Sequence, residues 1–287
     1  MNTLVINELS KKYGKTTAVD ELSFTVAKGD IFGFLGPNGA GKSTTMRAIM
    51  GFDKPTSGTV SIKGLDAWTD ATAVKEFTSY VPSEPNLYPD WTGDDHIKFV
   101  GRFKPLDQAK INSLKQTLEL DGSKRVGQLS TGNRQKLSII LALVQEPELL
   151  LLDEPTRGLD PLLRATFHKL LKTYQSGGGT VLISSHDLAE VEALCTDVAI
   201  IRAGKLIKDT TVASLRSAGL HQVKVTFTGR PPSFAHLKPS NLVTSGSTVT
   251  YAVRDINPVL AVIAGHDVAQ IEITNASLED AFAELYA

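Results

Sequence analysis

Gly36-Pro37-Asn38-Gly39-Ala40-Gly41-Lys42-Ser43-Thr44 decides how this chain folds. It follows the apolar run Ile31–Leu35, which predicts a buried strand, and precedes Thr45–Met50, which predicts the first turns of a helix. Strand, glycine loop and helix form the context in which G-x-x-x-x-G-K-[ST] carries chemistry. The glycines let backbone N–H groups turn inward around a polyphosphate, and a helix N-terminus adds partial positive charge. Lys42 is then placed to reach the outer phosphates, and the Ser43 hydroxyl to take one position on Mg²⁺.

The rest of the composition bounds what surrounds that loop. With 287 residues, 41% of them hydrophobic, the chain has room for one large or two modest domains. A net charge of −1 supplies no basic field of the kind that marks nucleic-acid binding. The one cysteine, Cys195, excludes an intramolecular disulfide and fits a reducing compartment. It reads as a small apolar residue on the helix Asp187–Leu194 or just beyond it. The N-terminus lacks the pattern of a signal peptide, and the longest apolar runs, Leu149–Leu152 and Ile139–Val144, fall far short of the ~18–20 residues of a membrane span. The expectation is a soluble, cytosolic chain whose membrane spans, if it serves a membrane, come from another polypeptide.

Working outward, residues 4–9 and 22–27 alternate apolar and polar, as paired half-buried strands do. Between them Tyr13 falls in a polar turn, either as a surface ring covering the sheet or as a platform on which an adenine stacks. Past the glycine loop, Thr59–Lys63 predicts a strand, and Thr78–Val81 another, stopped by Pro82. Ser83–Gly93 is loop-like. From Asp94 to Leu120 the apolar positions Ile97, Val100, Phe103, Ile111, Leu114 and Leu118 recur at helical spacing, so the section to about Glu146 reads as a helical insertion in an α/β chain. Leu129–Asn133 is a second glycine-containing turn ahead of a helix over Arg134–Val144, with Ser130 at the helix entrance. Glu148–Glu154 is an apolar strand ending in Asp153 and Glu154, and Thr180–Ser185 is another ending at His186. Continuous apolar runs suit parallel strands buried on both faces, and ligands gather at the carboxyl ends of such strands.

Together these pieces resemble the nucleotide-binding subunit of ATP-binding cassette (ABC) transporters, over roughly residues 1–210. The order matches: Tyr13, Gly36–Thr44, Leu129–Asn133, Leu149–Asp153, Glu154, Gly158-Leu159-Asp160, His186. The resemblance implies an α/β P-loop NTPase cassette with a RecA-like core, an antiparallel β subdomain and a helical subdomain. The expected domains are 1–215, with the helical part at about 86–146, and a small C-terminal α+β domain at 220–287.

It also implies ATP hydrolysis coupled to transport, with ATP and Mg²⁺ as cofactors. Tyr13 becomes the adenine-stacking ring. Asn38, Gly39, Ala40, Gly41, Lys42, Ser43 and Thr44 become the phosphate cradle. Ser43 and Asp153 hold Mg²⁺, Glu154 polarises the attacking water, and His186 senses the γ-phosphate. Two cassettes would close head to tail, so that Ser130 and Gly132 meet the ATP of the opposite subunit and Asp160 lies at the seam. The partners implied are an integral-membrane permease and a second cassette, as a homodimer because both Glu154 and His186 are present, or as a heterodimer. That places the chain in the cytoplasm, peripheral on the inner face of the cell membrane, with no nucleic acid.

Two departures stand out. Leu129–Asn133 reads LSTGN where the family has LSGGQ, but Ser130 and Gly132 are retained. Ser83 stands where the family usually has a glutamine that reaches the cation and the attacking water; serine is too short, which implies a looser link through this loop. The next residues, Leu87, Tyr88, Pro89 and Trp91, either contact a permease helix or pack the helical insertion on the core. In the tail, 211–219 reads as a junction. Strands follow at Val223–Thr228, Asn241–Val253 (a hairpin) and Val268–Ile273, with helices at Pro258–Gly265 and Ser277–Tyr286. The tail resembles extensions on exporter cassettes for drugs, lipids and antibiotic peptides, so an exporter subunit is the first reading. A soluble ABC ATPase acting on ribosomes or DNA, and an importer cassette, are the alternatives.

Overall fold

The computed structural model describes residues 2–218, 221–234, 237 and 239–274. Two compact units follow one another, Met1–Thr210 and Thr211–Ala287.

The first unit opens with β1 (Asn2–Tyr13) and β2 (Thr16–Ala27), an antiparallel hairpin with Tyr13 paired to Thr16. Both strands run further than the alternation suggests, and Tyr13 closes β1 rather than lying in the turn. Next come β3 (Ile31–Leu35), α1 (Lys42–Ile49), β4 (Ser57–Ile62), β5 (Leu65–Asp66), α2 (Ala71–Phe77) and β6 (Thr78–Val81). The helical stretch holds α3 (Gly93–Val100), α4 (Gln108–Thr117) and α5 (Thr131–Leu143). Then come β7 (Leu149–Asp153), α6 (Pro161–Ser176), β8 (Thr180–Ser185), α7 (Leu188–Leu194), β9 (Asp197–Arg202) and β10 (Lys205–Thr211).

These strands build two sheets, β2-β1-β4-β5 and β10-β9-β3-β8-β7-β6. In the second, β9, β3, β8, β7 and β6 are parallel neighbours. Leu149–Leu152 are fully buried, as strands covered on both faces require. Each such side chain contributes about 1.5–3 kcal/mol of burial. A common core joins the sheets: the Phe24 ring lies 5.3 Å from Phe32 and 5.2 Å from Phe34. Cys195 is buried just past α7, and burial pushes its thiol pKa up, so it is an inert filler.

Three sequence expectations shift. The helix predicted over Asp94–Leu120 breaks, because α3 ends at Gly101 and Pro105 bars its continuation; Phe103 is therefore 77% exposed rather than on a buried stripe. The helix after the second glycine turn begins at Thr131 rather than Arg134, with Ser130 as its N-cap. Residues 212–218, read as junction, form a helix.

That helix, α8 (Val212–Ala218), begins the second unit. β11 (His221–Phe227), β12 (Ser240–Ser245), β13 (Thr248–Val253), α9 (Asn257–Ile263) and β14 (Val268–Thr274) follow. The four strands form an antiparallel sheet in the order β12-β13-β11-β14. Alternation buries Val223, Val225 and Phe227 against Phe234, Tyr251 and Val259. The helix expected over Ser277–Tyr286 lies outside the described residues.

Candidate functional site

Three adjacent parallel strands, β3, β8 and β7, end side by side; β3 hands the chain to the glycine loop, β8 to His186 and β7 to Glu154. Leu35 pairs with Ser185, and Ser184 with Asp153, so the glycine loop, His186 and the two acids emerge at one level.

Gly36–Gly41 leaves β3 and enters α1 at Lys42, three residues earlier than the apolar run alone suggests. Lys42 and Ser43 therefore sit in the first helical turn, where N–H groups are unpaired within the helix. Gly41 has φ 106, and a Cβ there would meet the Ala18 carbonyl oxygen at 2.5 Å, so only glycine fits. Asn38, Gly39, Gly41, Lys42, Ser43 and Thr44 line a small cavity of about 180 Å³ beside Glu154. Ala40 faces the core, 2% exposed, with its carbonyl accepting from Gly204 N.

Lys42 is buried and folds back on its own loop. Its ammonium donates to Gly36 O at 2.6 Å and Pro37 O at 3.2 Å, and pairs with Glu154 Oε1 at 3.1 Å. The other Glu154 oxygen, Oε2, accepts from His186 Nδ1 at 2.9 Å. Glu154 adopts φ 48, a conformation disfavoured for a side-chain-bearing residue. It is held there by its N–H donating to Ser184 O at 3.1 Å and Ser184 Oγ at 3.2 Å. Asp153 is 1% exposed; Oδ1 accepts from Ser184 Oγ at 2.5 Å and Oδ2 from the Tyr80 hydroxyl at 3.4 Å. Burial first, then Asp153, pushes the Tyr80 phenol up, which keeps it a donor.

A larger cavity of about 500 Å³ adjoins this cluster, lined by Asn38, Ser43, Ser83, Glu154, Arg157 and His186 among others. Ser83 borders this cavity from just beyond β6. Beside it Glu84 pairs with Arg157 at 3.3 Å.

Tyr13 is 47% exposed, and its hydroxyl donates to Asp53 Oδ2 at 2.7 Å. Lys11 Nζ stands 4.9 Å from its ring centroid. Arg47 also donates to Asp53, at 2.8 Å; that bond first, then Tyr13's, holds the Asp53 carboxyl below its ordinary range. Burial, then Asp53, pushes the Tyr13 phenol up.

Ser130 caps α5, accepting from Asn133 N at 3.3 Å, and a Cβ on Gly132 would lie 2.7 Å from Gly158 O. Asp160 is the exposed N-cap of α6, accepting from Leu163 N at 2.9 Å. Around Leu87–Trp91 the rings pack on α3: Tyr88 lies 4.7 Å from Trp91, and Trp91 5.5 Å from Phe99. Tyr88 remains 58% exposed.

Ser184 and Tyr80 escape a reading by motif. The available signal is two serines closing an otherwise apolar strand at the edge where ligands gather.

Among the described residues no group of three or more His, Cys, Asp or Glu side chains could hold a metal, and no helix is long and apolar enough to cross a membrane. The sequence profile of the family described as ABC transporter matches residues 19–157. The "Nod factor export ATP-binding protein I" of Cupriavidus metallidurans is 34% identical over 98% of this chain and 96% of its own length. The "Bacitracin transport ATP-binding protein BcrA" of Bacillus licheniformis is 38% identical over 73% of this chain and 70% of its own. Among solved structures, an ATP-binding subunit of an ABC transporter superposes with a TM-score of 0.70 at 29% identity, over 75% of this chain and 92% of that one. A dimeric bacterial ABC transporter cassette does so with a TM-score of 0.67 at 24% identity, over 73% and 98%, and speaks for the fold alone.

Proposed function

The chain belongs to the ATP-binding subunits of ABC transporters, which hydrolyse ATP, and from that premise we propose that it drives export through a separate membrane permease. The observation that carries the site assignment is the convergence of Lys42 and His186 on Glu154, at 3.1 and 2.9 Å, where Glu154 lines both cavities.

In this reading the loop amides and Lys42 hold the phosphates while the adenine stacks on Tyr13. Lys42 exchanges Glu154 Oε1 for phosphate oxygens, which frees Glu154 to take the proton of the attacking water. His186 donates from Nδ1 to Glu154 and would redirect that N–H to the γ-phosphate when ATP binds. Ser43 and Asp153 would hold Mg²⁺, both being hard oxygen donors of the kind that ion takes together with water and phosphate. Asp153 is suited to it because Ser184 and Tyr80 fix its carboxylate. When bound, the ion neutralises phosphate charge.

A head-to-tail partner cassette would bring Ser130 and Gly132 to the opposite ATP, with Asp160 at the seam, and exclude water. Homodimerisation is consistent with the presence of every catalytic residue in one chain. The chain would sit on the cytoplasmic face of the membrane, held by the permease; the exposed Tyr88 ring supports the loop after Ser83 as the docking point.

The test is affinity purification of the tagged chain from its host's membranes in mild detergent. Recovery with a polypeptide of several hydrophobic spans, and ATPase activity in that complex, is the expected result. Recovery only with ribosomes or nucleic acid would refute the transporter reading.

A further inference from the structure

Behind His186, α6 and α7 are joined by two side-chain pairs. The outer is Arg164 Nη1 to Asp187 Oδ2 at 3.5 Å, partly exposed. The inner is His168 Nε2 to Glu190 Oε1 at 3.7 Å, with the Glu190 side chain only 4% exposed. Arg164 and His168 are four residues apart and so share a face of α6. Neither His168 Nε2 nor Glu190 Oε1 has a hydrogen-bond partner among the described residues. A buried carboxylate costs several kcal/mol unless its oxygens are satisfied, and an apolar side chain would serve packing as well.

What Glu190 does hold is Ser185. Its Oε2 accepts the Ser185 hydroxyl proton at 2.6 Å, in a buried bond. Ser185 Oγ in turn accepts the Asp187 N–H at 3.0 Å, closing a small ring around the backbone of His186. A hydroxyl carries one proton. With that proton committed to Glu190, the Ser185 lone pairs are turned to Asp187 N–H. Without Glu190 the remaining acceptor for the hydroxyl proton is Asp187 O at 3.3 Å, so the proton that anchored Ser185 to α7 turns back into the turn itself while Oγ still accepts from Asp187 N–H.

We propose that Glu190 is a positioning residue for ATP hydrolysis, clamping Ser185 so that the turn 185–187 presents His186 to Glu154. The proposal rests on the roles given above to His186 and Glu154. A side chain acting this way affects turnover more than nucleotide binding: Glu190 borders the cavity it shares with Asn38 and Ser43, but its carboxylate contacts Ser185 and His168 rather than the glycine loop.

The test compares kcat, KM and ADP affinity for Glu190→Ala, Glu190→Gln, His186→Ala and the Glu190→Ala/His186→Ala double variant of the full chain. Glu190→Ala should lower kcat about tenfold, the scale set by small misplacements of reacting groups, with KM and ADP affinity unchanged. Glu190→Gln, which keeps an oxygen acceptor for Ser185, should stay within about threefold of wild type. Glu190→Ala should add nothing to the residual rate of His186→Ala, as members of one unit behave. Wild-type kcat in Glu190→Ala, a loss expressed in KM, or an equal further loss in the His186→Ala background would each overturn the proposal. If Glu190→Ala does not fold, Ser185→Ala in the Glu190→Gln background carries the same test, with the same kcat loss expected and wild-type kcat refuting it. Wild-type turnover in His186→Ala would instead overturn the site reading, and the clamp with it.

Discussion

Glu154→Gln tests the exchange of partners at Lys42. The ammonium has three contacts, and the one to Glu154 Oε1 at 3.1 Å is charged. At an effective dielectric constant of about 20, 332/(20 × 3.1) gives a gross attraction of about 5 kcal/mol. Desolvation of two largely buried ions removes most of it, leaving the ~1.5–3 kcal/mol of a hydrogen bond to a charged group. Glutamine retains a neutral acceptor worth about 1 kcal/mol, so the substitution relieves roughly 0.5–2 kcal/mol that nucleotide must otherwise displace. The nucleotide affinity should rise roughly 2- to 30-fold. Calorimetric titration with ADP is the appropriate assay, because ADP engages the β-phosphate contact of Lys42 without the confusion of blocked hydrolysis. Turnover should meanwhile fall at least ~100-fold, and an ATP-bound dimer should accumulate by light scattering. ADP affinity unchanged or weakened would refute the exchange, and wild-type turnover would remove Glu154 from the role of base.

Four further outcomes are expected. Tyr13→Ala should weaken ATP about 3- to 10-fold while Tyr13→Phe, which loses only the bond to Asp53, keeps the affinity; equal losses in both would refute stacking. Gly41→Ala forces a Cβ to within 2.5 Å of Ala18 O at φ 106, so it should destabilise the fold by about 2–3 kcal/mol in a denaturant titration and abolish ADP binding. Asp53 has its folded-state pKa depressed by Arg47 and Tyr13, so its stabilisation is full above the unfolded value near pH 4 and is lost as pH falls through the lower folded value. Asp53→Asn should then lower Tm by about 2–4 °C at pH 7, with the difference from wild type closing in melts below about pH 4. Ser83→Gln, entering the cavity that Ser83 lines with Glu154, should lower the Mg²⁺ concentration for half-maximal ATPase by about fivefold, one hydrogen bond's worth; an unchanged rate, Mg²⁺ dependence and coupling would show that the short side chain is without consequence.

Local chemistry is what the amino-acid order determined by itself. Ile31–Leu35, the glycine loop and α1 were legible because a strand, a turn needing positive φ and a helix start are each dictated within a few residues. The apolar run Leu149–Leu152 declared a strand buried on both faces, and Asp153 and Glu154 declared its ligand end. The limits of local reading show at Phe103, where helical spacing continued past Gly101 and Pro105 although the backbone could not. Tertiary structure alone decided that β8 inserts between β3 and β7, which are separated by more than a hundred residues and are not hydrogen-bonded to each other. That order of strands carries His186 to Glu154 and Glu154 to Lys42, and it places Ser184 under Asp153, where no motif announces it. Strand order is set by how whole faces bury against helices and the second sheet, a sum over distant residues. Pairing between side chains 32 and 112 positions apart follows from that sum and from nothing in either neighbourhood alone.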